Sequence, residues 1–85
     1  MTRPLLRTLD ENLFLKQNWE KFIQLTRREK EVLRHIVIGK STKEIGDYLF
    51  VTRNTVNFHK RNIRSKLGIK SYFEHVKYAY AFDMI

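Results

Sequence analysis

The chain has 85 residues, with 17 Lys and Arg against 9 Asp and Glu and a net charge of +8. That length leaves room for one domain with a modest core and excludes an enzyme with a separate substrate domain; the charge points to a polyanionic partner, nucleic acid first and anionic lipid second. Cysteine is absent, which excludes disulfides and thiolate-bound metals, and no run of about 18 apolar residues exists to span a bilayer.

Taken in chain order, the opening stretch from Met1 to Arg7 breaks its one apolar pair, Leu5-Leu6, with flanking charge, so it does not read as a signal peptide, and the expected location is cytoplasmic. Residues 1–24 are expected to form an N-terminal arm, helical from about Asp10 to Gln24. Leu9 and Leu13 fall on one line, and Leu15, Trp19, Phe22 and Ile23 on another. Such a segment either packs on the adjoining domain or serves as a connector or dimer element. Residues 25–85 read as that domain. Three times a Ser or Thr is followed three positions later by Glu, the signature of a capping box: Thr26 to Glu29, Ser41 to Glu44 and Ser71 to Glu74. Each opens an apolar-periodic stretch. The expected helices run from about Arg27 to Ile38, ended by Gly39; from Thr42 to Phe50; from Arg53 to Leu67, ended by Gly68; and from Tyr72 to Phe82. Between the second and third only a tight turn fits, with Thr52 as the N-cap of the third helix. No stretch alternates apolar and polar for long, so the fold class is all-α: four helices preceded by an additional N-terminal helical segment.

The helix from Arg53 to Leu67 separates two faces on a wheel of about 100° per residue. Val56, Ile63 and Leu67 share the core side. Opposite lie Asn54, Phe58, Arg61 and Ser65, flanked by Asn57 and Arg64. From Asp47 to Glu74 there is no acid between, while Arg53, Lys60, Arg61, Arg64, Lys66 and Lys70 are all basic. Such a face suits the DNA major groove, where Arg pairs with guanine and Asn with adenine. Cations and hydroxyls around it, Thr52, Arg53, Thr55, Lys60, Arg64 and Lys66, suit phosphates. Phe58 either touches a thymine methyl or folds back against the preceding helix. His59, near the edge of the core arc, is expected to be a packed boundary residue.

The run Leu25-Thr26-Arg27-Arg28-Glu29-Lys30-Glu31-Val32-Leu33 resembles the opening of a LuxR-type helix-turn-helix domain. The resemblance continues through Gly39, Lys43-Glu44-Ile45, Leu49-Phe50, Thr55-Val56, His59, Asn62-Ile63 and Lys66-Leu67-Gly68, and covers about Leu25 to Ala81. It implies a four-helix domain whose second and third helices form the DNA-binding pair. By the same resemblance Asn57, Phe58 and Arg61 face bases, Lys43, Thr55 and Lys70 lie near phosphates, and the last helix makes the dimer contact. The sequence of that helix agrees, since Phe73, Val76 and Tyr80 form one apolar line and Tyr72, Val76 and Ala79 another; Phe73, Val76, Lys77 and Tyr80 are the expected interface. Three positions depart from the pattern. Arg27 replaces a common proline, Asn57 a frequent lysine, and Gly46 a common alanine; the last costs about 1 kcal/mol of helix propensity unless close packing requires it.

The expected function is sequence-specific binding of double-stranded DNA by a dimeric bacterial transcription regulator, either stand-alone or the C-terminal piece of a longer one. A protein adaptor is the alternative, using the basic surface on an acidic partner such as an RNA polymerase subunit. An enzyme has no support. There is no carboxylate pair, glycine-rich phosphate loop or nucleophile-base pair, and His35, His59 and His75 are too scattered for a metal, so no catalytic residue and no cofactor is expected.

Overall fold

A computed structural model describes residues 5–82 of the chain, with side chains from Leu13 onward. Residues 1–4 of the expected arm, the Leu9 side chain and residues 83–85 lie outside it. Five helices follow in order: α1 (Leu5–Phe22), α2 (Arg27–Val37), α3 (Thr42–Leu49), α4 (Arg53–Leu67) and α5 (Tyr72–Ala81), with no strand among the described residues. None of these helices is long and apolar enough to cross a membrane.

The helix starts follow directly from local chemistry. Thr26, Ser41 and Ser71 each accept a hydrogen bond from the backbone N–H three residues on, and Glu29, Glu44 and Glu74 each bond back to the cap's own N–H. All three capping boxes are closed, so two orphan donors are satisfied at each start. Thr52 caps α4 alone, its Oγ1 accepting from the Thr55 N–H at 3.2 Å. α4 stops at Gly68, which turns out of the helix at φ 65°, a left-handed geometry that side-chain-bearing residues disfavour.

Val32 and Leu33 of α2, Ile45 and Leu49 of α3, Val56, Ile63 and Leu67 of α4, and Tyr78 and Ala79 of α5 share one core with Phe22 and Leu25. The three buried α4 residues are those on the inner arc of the wheel, so the opposite face of α4 is left outside. α2 lies against α4 and α5, and α3 against α4. Gly46 makes the close approach of α3 to the adjoining turn possible. A Cβ there would stand 2.8 Å from the Val51 carbonyl oxygen, and the Val51 N–H donates to the Gly46 carbonyl at 2.9 Å. Close packing therefore explains the glycine.

α1 packs against α4 and α5, though not on the lines its apolar residues suggest. The inward line is Phe14, Asn18 and Phe22, whereas Leu13, Trp19 and Ile23 are about half exposed. Asn18 hides this stripe from a reading by hydropathy. Its Oδ1 accepts from the buried Tyr78 hydroxyl at 3.0 Å and its Nδ2 donates to the Phe14 carbonyl at 2.9 Å, so a polar residue fits among rings. Phe14 meets Tyr78 edge-on at 4.8 Å between centroids, and Phe22 stacks on Phe82 at 3.8 Å.

An ion pair crosses this assembly. Glu29, only 3% exposed, receives the Lys66 ammonium at 2.7 Å, and Lys66 also donates to the Gln24 carbonyl at 3.1 Å. Burial pulls the Glu29 pKa up, but the Lys66 hydrogen bond, the Thr26 cap and the Lys66 charge together hold it below the ordinary glutamate value. A depressed folded pKa means the stabilisation is complete above the unfolded value and is lost as pH falls through the folded one. Glu29→Ala is expected to lower unfolding stability by about 1–3 kcal/mol at neutral pH. In urea titrations the gap between variant and parent should stay constant from about pH 6 to 8 and narrow below about pH 4.

Candidate nucleic-acid interface

α3, the turn at residues 50–52 and α4 form a helix-turn-helix, and its outer surface is α4's solvent side. Asn54, Asn57, Phe58 and Arg61 are all exposed there, with Arg64 and Ser65 beside them. They share one face because the core holds Val56, Ile63 and Leu67 on the other. Phe58 is 53% exposed, its ring 5.9 Å from that of His59. His59 itself is half-buried at the boundary.

The surrounding donors differ in how free they are. Arg53, at the first position of α4, Arg64 and Lys70 are exposed, as is Lys43 in the first turn of α3. Thr52 and Thr55 are bound to each other, their hydroxyl oxygens 3.0 Å apart at the start of α4. Lys60 reaches back instead of outward, donating to the Thr42 hydroxyl at 2.7 Å; burial, then the nearby Arg64 charge, lowers its pKa. That contact was not legible in the sequence, because it joins residues 18 apart across two helices. Lys66 requires a correction. It is turned away from the α4 outer face and, still partly exposed, is engaged by the Glu29 carboxylate and the Gln24 carbonyl.

Most acids near this surface are withdrawn from it, Asp47 of α3 being the exposed exception. Glu29 and Glu44 close capping boxes, Glu74 does so at α5, and Glu31 lies 3.6 Å from Arg28. An acid-free, amide- and guanidinium-bearing helix face therefore stands in a basic surround, able to meet phosphates and base edges together. Among the described residues no group of three His, Cys, Asp or Glu is placed to hold a metal ion.

On α5, Phe73 is 69% exposed, Lys77 and Tyr80 are exposed, and Val76 is half-buried against the core. Lys77 places its ammonium 5.2 Å from the Phe14 ring centre, so α1 borders this face. Tyr72, expected on an apolar line, instead donates its hydroxyl to the Val37 carbonyl at the end of α2. His75 is buried, with Nδ1 2.6 Å from the Ser71 carbonyl oxygen.

The sequence profile described as bacterial regulatory proteins, luxR family, matches residues 23–79. The Fimbriae Z protein of Escherichia coli strain K12 is 44% identical over 61 residues, 72% of this chain and 29% of that protein. The transcriptional activator protein PhzR of Pseudomonas fluorescens is 40% identical over 63 residues, 74% of the chain and 26% of PhzR. The oxygen regulatory protein NreC of Staphylococcus aureus strain JH9 is 47% identical over 60 residues, 71% of the chain and 28% of NreC. The chain thus spans under a third of the length of each of these three relatives.

The two kinds of cation should separate by salt dependence. Arg53→Ala is expected to reduce the magnitude of the slope of log affinity against log salt on duplex DNA by about 1. Lys66→Met should leave that slope unchanged while lowering unfolding stability, measured on the same preparations. An equal loss of slope in both variants would place Lys66 on phosphate.

Proposed function

The chain belongs to the luxR family of bacterial regulatory proteins, carrying their helix-turn-helix domain, and on that premise we propose that it binds specific double-stranded DNA as a transcription regulator with α4 in the major groove. The observation that carries this reading is the outer face of α4, where Asn54, Asn57, Phe58 and Arg61 stand exposed with no acid among them. Asn and Arg are the side chains that pair in bidentate fashion with adenine and guanine edges, and Phe58 supplies an apolar surface for a thymine methyl. Lys43, Thr52, Arg53, Thr55, Lys60, Arg64 and Lys70 are assigned to the phosphates. Thr52 and Thr55 do so from the N-terminal turn of α4, where the helix dipole also favours an anion. Lys60 must exchange Thr42 for a phosphate, whose negative charge would offset the burial and the Arg64 repulsion that now disfavour its ammonium.

We assign α5 to a homodimer contact through Phe73, Val76, Lys77 and Tyr80, so that two α4 helices meet two half-sites of one operator. The large exposed ring of Phe73 supports this, since a second subunit would remove it from water. Residues 1–24 are assigned as an arm bordering that contact, and residues 25–85 as the DNA-binding domain. RNA polymerase is the partner through which a regulator so placed would act.

Arg61→Ala tests the reading. It is expected to weaken the preferred duplex by about 1–3 kcal/mol and to relax selection at one base pair of each half-site, read by competition titrations against single-base variants. Equal losses on preferred and random duplex would remove Arg61 from base recognition.

A further inference from the structure

A cleft of about 170 Å³ opens along the seam where α1 lies on the domain, between Phe14 and Lys21 of α1, Leu67 at the end of α4, and Lys77 and Tyr78 of α5. None of these residues is assigned to bases or phosphates. The volume limits what the cleft can hold. Drug-sized ligands fill pockets of about 300 Å³ or more, so a nucleotide does not fit. A cavity of about 150 Å³ in a protein core accepts benzene, which makes one six-membered ring the right scale.

The uncharged polar groups inside the cleft are already paired. The Tyr78 hydroxyl donates to Asn18 Oδ1 at 3.0 Å and lies 3.4 Å from the Leu67 carbonyl oxygen, while Asn18 Nδ2 donates to the Phe14 carbonyl. Glu74 also lines the cleft, and its Oε1 accepts from the Lys70 and Ser71 N–H groups and from the Ser71 hydroxyl in the α5 cap. The two ammonium groups differ. Neither Lys21 nor Lys77 has an ion pair among the described residues, and Lys77 stands 5.2 Å from the Phe14 ring centre. Two cations against one cap-bound carboxylate leave a surplus of positive charge, and the half-buried Phe14 ring supplies an apolar wall beside it. An occupant complementary to both carries one negative charge on a small apolar body.

We propose that this cleft binds a small aromatic carboxylate, its ring against Phe14 and its carboxylate between the Lys21 and Lys77 ammonium groups. Such a ligand touches α1 and α5 at once, so its binding holds the arm onto the domain. In a regulatory protein this makes the seam an effector site. The inference goes beyond the DNA reading and does not rest on it.

The test titrates benzoate into the isotope-labelled chain at neutral pH and follows amide chemical shifts by NMR, with acetate, benzyl alcohol and benzylamine as controls. Benzoate is expected to shift the Asn18, Ile69 and Tyr78 amides saturably, with a dissociation constant of about 1 mM or tighter, and to slow hydrogen exchange in α1. Acetate lacks the ring, benzyl alcohol lacks the charge and benzylamine reverses it, so each should bind about tenfold or more weakly. Lys21 and Lys77 are exposed, so Lys21→Met and Lys77→Met should keep the parent's fold. Each is expected to lose about tenfold in affinity for benzoate, the effect of removing one charge-assisted hydrogen bond. Shifts that do not saturate, or that centre on other residues, overturn the proposal. So does benzyl alcohol binding as tightly as benzoate, or undiminished benzoate binding in either variant, since the cleft would then recognise no charge.

Discussion

Glu29 lies where three helices meet, and the placement of α4 depends on what its carboxylate does there. It caps α2, holds Lys66 near the end of α4, and through Lys66 reaches the carbonyl of Gln24 where α1 has ended. A carboxylate so thoroughly buried would be strongly unfavourable if alone, and the Lys66 ammonium and the Thr26 N–H and hydroxyl are what make it tolerable. Apolar burial holds α4 along one stripe, but an apolar stripe can slide. A hydrogen-bonded charge pair fixes the axial position of the helix, and with it the height at which Asn54, Asn57 and Arg61 stand on the surface.

The same economy of charge governs the outside. The acids near the helix-turn-helix mostly serve as caps or in an ion pair, where they satisfy backbone donors and complement helix dipoles. The cations of the α4 side therefore have little left to neutralise them, and its surplus of positive charge arises by subtraction as much as by addition. A net charge of +8 opposes compaction, and the capping boxes and the Glu29–Lys66 pair place negative charge where it offsets that repulsion locally. Asp47 is the contrasting case, exposed at the far end of α3 and in no ion pair among the described residues.

Much of this was legible in the residues themselves. The Ser/Thr-to-Glu spacing located three helix starts because capping is a local interaction between residues three apart. The Arg53–Leu67 bounds followed from Thr52 and Gly68, and the wheel of α4 separated core from surface because its apolar residues are strongly periodic. What was illegible depends on contacts distant in sequence. Asn18 lies on the buried face of α1 because Tyr78, 60 residues away, brings it a hydroxyl. Lys66 looked like one more surface cation until the fold supplied Glu29. Gly46 needs the Val51 carbonyl to explain it, and the left-handed turn at Phe50 has no composition signal, since phenylalanine gives no warning of positive φ.

The central claim is that the outer face of α4 reads sequence. The most direct measurement is selection of bound duplexes from a random library by the chain, at about physiological salt, where non-specific attraction is weak. The account predicts enrichment of a motif with two related half-sites, about one helical turn apart or a multiple of it. A pool that stays random while the chain still binds it would contradict the account, leaving α4 as a merely basic surface.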